Sequence, residues 1–287
     1  MATRIITAAF LIAAVLLWLF VAQFPIFTIG ALFIYMVSAY ELGPILGYKS
    51  KIPFVLIALA VMTFFFYMFP PGLYMAYGVP LPIKFIICLA IPFWIVVTPL
   101  VRMYPIFSGW LKNRLLGSIA GLFMLVPFFF GLLFLRSLDY AESFYTGAVA
   151  VVSVMVLVWA CDSGAYFAGR AMGKTPLIVN VSPNKTREGL YGGLILALVC
   201  FAVFDYFGAY EGVSGNQLLL IVAAVACILF SVVGDLVESM FKRKAGVKDS
   251  GTIFPGHGGM LDRVDSQLAA IPVFCGVCIL GSGQVPL

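Results

Sequence analysis

Apolar residues do not alternate with polar ones along this chain. They run together in long blocks, separated by short polar clusters. Nine such blocks stand out, at 5–22, 24–40, 53–69, 82–100, 115–135, 144–168, 190–207, 217–235 and 264–280. Each has the roughly 17–25 residues a helix needs to cross a hydrocarbon core. Proline and glycine turns divide the early blocks, as at Gln23-Phe24-Pro25 and Phe69-Pro70-Pro71-Gly72. The pattern predicts an all-α polytopic membrane protein of about nine transmembrane helices. Residues 1–140 would form the first five spans, and 141–287 would hold the last four with the longer polar loops. The first block could be taken for a signal peptide, but it is long for one and has no A-x-A-like exit, so it is read as a span.

Composition agrees. The 287 residues are 63% hydrophobic and 10% charged, with a mean hydropathy of +1.11, which leaves no room for a separate soluble domain. The six cysteines lie in or beside apolar blocks. Cys275-x-x-Cys278 has no second ligand pair to make a metal site with, so it is read as packing. Charge adds orientation. Fifteen of the seventeen Lys and Arg residues fall on the N-terminus and alternate loops: Arg4; Lys49 and Lys51; Arg102, Lys112 and Arg114; Arg170, Lys174, Lys185 and Arg187; then Lys242, Arg243, Lys244, Lys248 and Arg263. Only Lys84 and Arg136 remain for the opposite side. Because positive loops stay in the cytoplasm, the N-terminus is expected inside and the C-terminus outside. The net charge of +5 therefore reflects loop placement, and nucleic acid is not an expected partner.

One polar stretch breaks the apolar pattern. Residues 234–266 hold five of the twelve acids (Asp235, Glu238, Asp249, Asp262 and Asp265), five cations and the only histidine, His257. Asp235, Glu238, Ser239 and Lys242 fall at i, i+3, i+4 and i+7, on one face of a helix that continues out of its span. That face could equally be an interfacial helix pairing its own charges. Asp262 and Asp265 repeat the i, i+3 spacing at the start of the last block. If the intervening Pro255-Gly256-His257-Gly258-Gly259 link folds back, Asp235 and Asp262 meet across a hairpin. Carboxylates that close repel unless a cation lies between them, and hard oxygen ligands facing phosphates suit Mg²⁺. The glycines free backbone N–H groups for an anion, and with Lys242, Arg243, Lys248 and Arg263 nearby the link looks like a polyphosphate cradle. No GxxxxGK[ST] occurs. Ser182, Lys185 and Thr186 precede the seventh block and offer hydroxyls, a cation and a helix start to a phosphate. Asp162 lies within an apolar block, where an acid is costly and marks a polar cavity or a pairing to a cation. Glu41, at the end of the second block, is read as a cap or a neutralised acid.

The motifs together resemble a known family. Ser239-x-Phe241-Lys242-Arg243, Lys248-Asp249-x-Gly251 and Pro255-Gly256-His257-Gly258-Gly259-x-Leu261-Asp262-Arg263-x-Asp265 are similar to the motif of phosphatidate cytidylyltransferases. Asp162-Ser163-x-Ala165-Tyr166 and Ser182-Pro183-x-Lys185-Thr186-x-Glu188-Gly189 are similar to that family's other recurring segments. The first five blocks resemble it only as apolar helices. The resemblance implies transfer of CMP from CTP to phosphatidic acid, giving CDP-diacylglycerol and pyrophosphate. It also implies a dimetal centre on the aspartates that match Asp235 and Asp262, and a membrane-embedded homodimer. The expected home is the bacterial inner membrane, with the active site toward the cytoplasm.

The residues suit that reaction. A phosphate monoester is already ionised near neutral pH and needs little help from a base, whereas bringing two polyanions together needs cations. Asp235 and Asp262 are thus expected to hold Mg²⁺, with a second cation an open addition. Lys242, Arg243, Lys248 and Arg263 are expected to clamp phosphates, and Ser182, Lys185 and Thr186 to bind a substrate phosphate. His257 is read as a hydrogen-bond donor or loop-shaping residue. Asp162, Asp249 and Asp265, with Lys248, are candidates for the catalytic step. A CTP-dependent kinase of lipid alcohols is the rival; its hydroxyl acceptor would make a base such as His257 or Asp249 essential. A cation transporter would need polar groups at several depths, whereas these gather at one edge.

Overall fold

The apolar blocks become helices because a chain in hydrocarbon must satisfy its backbone internally. The computed structural model describes residues 2–254, 256 and 258–283, leaving the side chains of 2–6 and 8 outside the description. The Arg4 side chain and His257 therefore lie outside the described residues. The first six helices are α1 (Ala2–Val21), α2 (Phe24–Ile45), α3 (Ile52–Met68), the single turn α4 (Tyr74–Tyr77), α5 (Leu81–Cys88) and α6 (Ala90–Arg102). They are followed by α7 (Arg114–Arg136), α8 (Thr146–Met172), α9 (Arg187–Tyr206), α10 (Gln217–Ala245) and α11 (Leu261–Gly281). The block at 82–100 is split into α5 and α6. Pro92 has no N–H to give the carbonyl of Cys88, and the split falls there.

The chain is a multi-pass membrane protein. Among the described residues seven helices are long and apolar enough to cross, with α5 and α6 counted as one, and α3 with the bent segment Pro71–Tyr77 makes an eighth. The described apolar part of α1, Ala9–Val21, is shorter.

The most buried helices, α7 and α11, form the centre, with α2, α5, α8 and α10 around them. Lipid offers no hydrophobic drive between helices, so close approach depends on small residues. The α8–α9 seam shows this: a Cβ on Gly164 would meet the backbone of Gly192 and Gly193, and one on Gly192 would meet Ala168. At one end of the bundle Arg136 is fully buried. Its guanidinium donates to the carbonyls of Ala22 and Phe144, each at 3.1 Å, and faces the rings of Tyr140 and Phe144 at 5.0 and 4.6 Å. It joins the α1–α2 turn to the α7–α8 loop, at the end opposite the polar cluster.

One element departs from the all-α expectation. Between α8 and α9 the chain forms an antiparallel hairpin of β1 (Pro176–Ile178) and β2 (Ser182–Thr186). Glu188 fastens its start by accepting from the N–H groups of Lys174 and Thr175 at 3.1 Å. The Thr186 hydroxyl caps α9 by accepting from the Gly189 N–H at 3.1 Å.

Candidate active site

The site is built on the antiparallel pair α10 and α11. α10 does not stop at Asp235 but runs on through good helix formers to Ala245, where Gly246 turns left-handed at φ 73°. The N–H groups of Gly246 and Val247 close on the carbonyls of Arg243 and Lys242 at 3.1 and 3.0 Å. The following segment folds back, with the Phe254 N–H on the Gly258 carbonyl at 2.9 Å. Gly258, at φ +80°, turns it into α11. Gly234 lets the two helices touch, since a Cβ there would strike the Asp265 carbonyl.

This packing sets Asp235 level with Asp265. Asp262 lies between one and two turns further along α10, beside Lys242, a distance of about 4–10 Å along the axis at 1.5 Å per residue. Each of the two aspartates carries a lysine. The ammonium of Lys185, on β2, is 2.5 Å from Asp235 Oδ2, and the Ser239 hydroxyl donates to Asp235 Oδ1 at 3.2 Å. Burial alone would lower the Lys185 pKa, but the carboxylates of Asp235, Asp162 and Asp265 outweigh it and hold the group above the ordinary lysine value. Lys242 bridges Glu238 and Asp262, reaching Asp262 Oδ1 at 2.7 Å. Asp265 feels the charges of Asp235 and Asp162, and Glu238 feels that of Asp265. Asp162 in turn faces Lys185, Asp235 and Arg263. Five acids thus share one region with three cations.

The glycine link holds anions, but they are the chain's own. Asp262 Oδ2 accepts from the N–H of Gly259 at 2.7 Å and from the N–H and hydroxyl of Ser250, both at 2.9 Å. The N–H groups of Met260 and Leu261 donate to Glu41 of α2 at 3.1 and 2.8 Å. Four N–H groups that could have cradled a polyphosphate are therefore occupied.

Three of the five acids open into a cavity of about 600 Å³. Asp162, Asp262, Arg263 and Asp265 line part of it, and apolar side chains such as Val15, Phe128 and Trp159 line the rest. A charged floor continuous with a greasy wall suits an amphiphile. A larger hollow of about 910 Å³ lies on the other face of α10, against Val232 and Leu236, with Arg102 and Arg187 but no acid. The chemistry points to the smaller one.

Other expected residues lie further out. Arg243 donates through Nε to the Val181 carbonyl at 3.3 Å, fastening α10 to the hairpin. Lys248 and Asp249 are exposed and form no ion pair among the described residues. Ser182 stands on β2, paired with Ile178. Glu238 and Glu41 are the acids that sequence reasoning left without a part in the reaction, Glu41 being read as a cap or a neutralised acid. The first was visible as part of the Asp-x-x-Glu-Ser-x-x-Lys helix face, and the second only as an acid at the end of an apolar block.

Among the described residues no three Asp, Glu, Cys or His side chains converge tightly enough to hold an ion by themselves. The donor chemistry nevertheless fits Mg²⁺, which takes one or two carboxylates and completes its shell with water and phosphate. Glu238 is buried and paired through Oε2 with Lys242, and its Oε1 has no hydrogen-bond partner among the described residues. A buried carboxylate in that state has room for more positive charge nearby.

Comparison with known proteins places the chain. The model of the cytidylyltransferase family matches residues 2–280. The chain belongs to the cytidylyltransferase family. Among its relatives, a phosphatidate cytidylyltransferase of Haemophilus influenzae is 40% identical over 282 residues, 94% of this chain and 96% of that protein. One of Pseudomonas aeruginosa is 38% identical over 271 residues, 94% of each. One of Bacillus subtilis is 40% identical over 161 residues, 56% of this chain and 59% of that protein. The resemblance read from the motifs is borne out, and this cytidylyltransferase is a nucleotidyl-transferring enzyme set in a membrane.

Proposed function

We propose that this protein transfers the cytidylyl group of CTP to phosphatidic acid, releasing pyrophosphate and forming CDP-diacylglycerol. A phosphate oxygen of the lipid attacks the α-phosphorus of CTP. The bond from that phosphorus to the oxygen bridging the α- and β-phosphates breaks, and pyrophosphate carries the electron pair away. The observation that carries the reading is the acid cluster opening directly into an apolar cavity, one place for both a nucleotide and a lipid.

Asp235 and Asp262 would hold Mg²⁺, which when bound neutralises phosphate charge and draws attacker and leaving group into line. Lys185 and Lys242 hold the two carboxylates in place through their ion pairs. They can also exchange a carboxylate for a phosphate oxygen as substrate enters. Arg263, at the cavity, is placed to meet a phosphate there. Lys248 and Arg243, at the exposed edge, would meet the outer phosphates of CTP. No side chain is required to remove a proton, because the attacking oxygen is already ionised.

The same reading puts nine spans in the bacterial inner membrane, N-terminus and polar loops in the cytoplasm. Its support is the segregation of fifteen of seventeen cations. The chemistry resides in 141–287, and a homodimer follows from the family resemblance. The test is purified protein with phosphatidic acid, Mg²⁺ and CTP labelled in the nucleotide. Labelled CDP-diacylglycerol with equimolar pyrophosphate is expected from the wild type, and neither from Asp235→Ala. Release of CDP instead would mark a kinase and refute the proposal.

A further inference from the structure

Glu41 is a buried carboxylate beside the site whose partners are all uncharged donors. It lies one turn from the end of α2, is 1% exposed, and forms no ion pair among the described residues. Its partners are all on the segment between α10 and α11. Oε1 accepts from the Met260 N–H at 3.1 Å, and Oε2 from the Leu261 N–H at 2.8 Å and the Ser250 hydroxyl at 3.0 Å. These two backbone donors belong to the start of α11, which has no side-chain cap of its own. A helix more than two hundred residues away in sequence supplies it.

Two glycines make the socket. A Cβ on either Gly251 or Gly259 would run into the Glu41 carboxylate. Their smallness in this loop is thus explained by a protein carboxylate and not by a nucleotide. The contact continues to Asp262, because Ser250 gives its N–H to Asp262 Oδ2 at 2.9 Å. Its hydroxyl lies within reach of both carboxylates, with one proton to donate to either.

We infer that Glu41 is a positioning residue for the reaction. It clamps the glycine loop from α2 and, through Ser250 and the first turn of α11, fixes the direction in which Asp262 presents its carboxylate. The inference rests on the reading of Asp262 as a metal-binding aspartate, and it makes the N-terminal helices part of the catalytic apparatus.

The test compares wild type with Glu41→Gln, which keeps one acceptor oxygen, Glu41→Ala and Ser250→Ala, all as intact protein in lipid nanodiscs. Three readouts are taken: amide hydrogen exchange at 258–264, Mn²⁺ affinity by electron paramagnetic resonance, and the Mg²⁺ dependence of turnover. Removing a partner that orients a ligand typically weakens metal affinity or activity by about 10–100-fold. That loss is expected for Glu41→Ala, together with faster exchange at Met260 and Leu261 and a KM for phosphatidic acid within about twofold of wild type. Glu41→Gln and Ser250→Ala should fall between, and the former keeps the test open should the alanine protein fail to fold. Unchanged exchange would show that the clamp does not exist. Faster exchange with unchanged Mn²⁺ affinity would reduce Glu41 to a structural cap and overturn the inference. Because exchange and Mn²⁺ binding need no turnover, a wild type that made no pyrophosphate would defeat the proposed function while these two still judged the clamp.

Discussion

Lys242 is the residue on which most depends. One ammonium spans Glu238 and Asp262 where all three side chains are largely removed from solvent. Removing one partner of such a group strands the others, at a cost of roughly 3–5 kcal/mol for a fully buried pair. Lys242→Met should therefore lower thermal stability in detergent and abolish turnover. Adding Glu238→Gln to it should restore much of the stability but none of the activity, which melting curves and pyrophosphate release on the two proteins would separate. Much of this residue-level chemistry was legible. The i, i+4 spacing of Glu238 and Lys242 gives their pairing, and the acids beside apolar blocks mark the cluster. The Lys185–Asp235 and Glu41–Leu261 contacts were not legible. Each joins segments distant in the chain, and their meeting depends on how helices pack, which hydropathy does not encode.

At the scale of elements, the hairpin carrying Lys185 is held by its neighbours. It sits between α8 and α9, and those helices meet through glycine and alanine without space for a larger side chain. Gly164→Leu should prise α9 from α8 and draw Lys185 away from Asp235. Overpacking of this kind costs typically 1–3 kcal/mol, so the protein should still fold, with helical circular dichroism retained and turnover down at least about tenfold. Turnover equal to wild type would show that the hairpin is positioned by something other than this seam. The blocks themselves were readable as helices, because spanning a hydrocarbon core demands a length that few other structures share. The hairpin was readable only as a polar loop. Its strands are three and five residues long, too short for a periodic signal to emerge. The break between α5 and α6 was also unread, although Pro92 was its visible cause.

Across the whole molecule the two ends of the bundle do different work. One end gathers five acids and three cations, some of which line a cavity, while buried Arg136 helps to tie the other. Arg136→Ala would leave the Ala22 and Phe144 carbonyls without their donor, and each such loss costs about 1–3 kcal/mol. The expected outcome is a lower melting temperature with Mg²⁺ dependence unchanged, since the acid cluster lies at the opposite end. A shifted Mg²⁺ dependence would mean that the ends are coupled. Segregation of charge along the sequence was enough to foresee that one end would be polar. A capping role for Glu41 was among the readings of the sequence, but not that the helix it caps would be α11.

The central claim is that Asp235 and Asp262, set one to two turns apart on adjoining helices, share responsibility for a divalent ion beside bound nucleotide. The most direct measurement is the anomalous scattering of Mn²⁺ in crystals of the protein grown with CTP. The account predicts a peak about 2.0–2.2 Å from a carboxylate oxygen of Asp235 or Asp262, with nucleotide phosphate completing the shell and Lys185 or Lys242 displaced toward it. A peak bound only elsewhere, or nucleotide seated with both lysine–aspartate pairs intact and no metal between them, would contradict it.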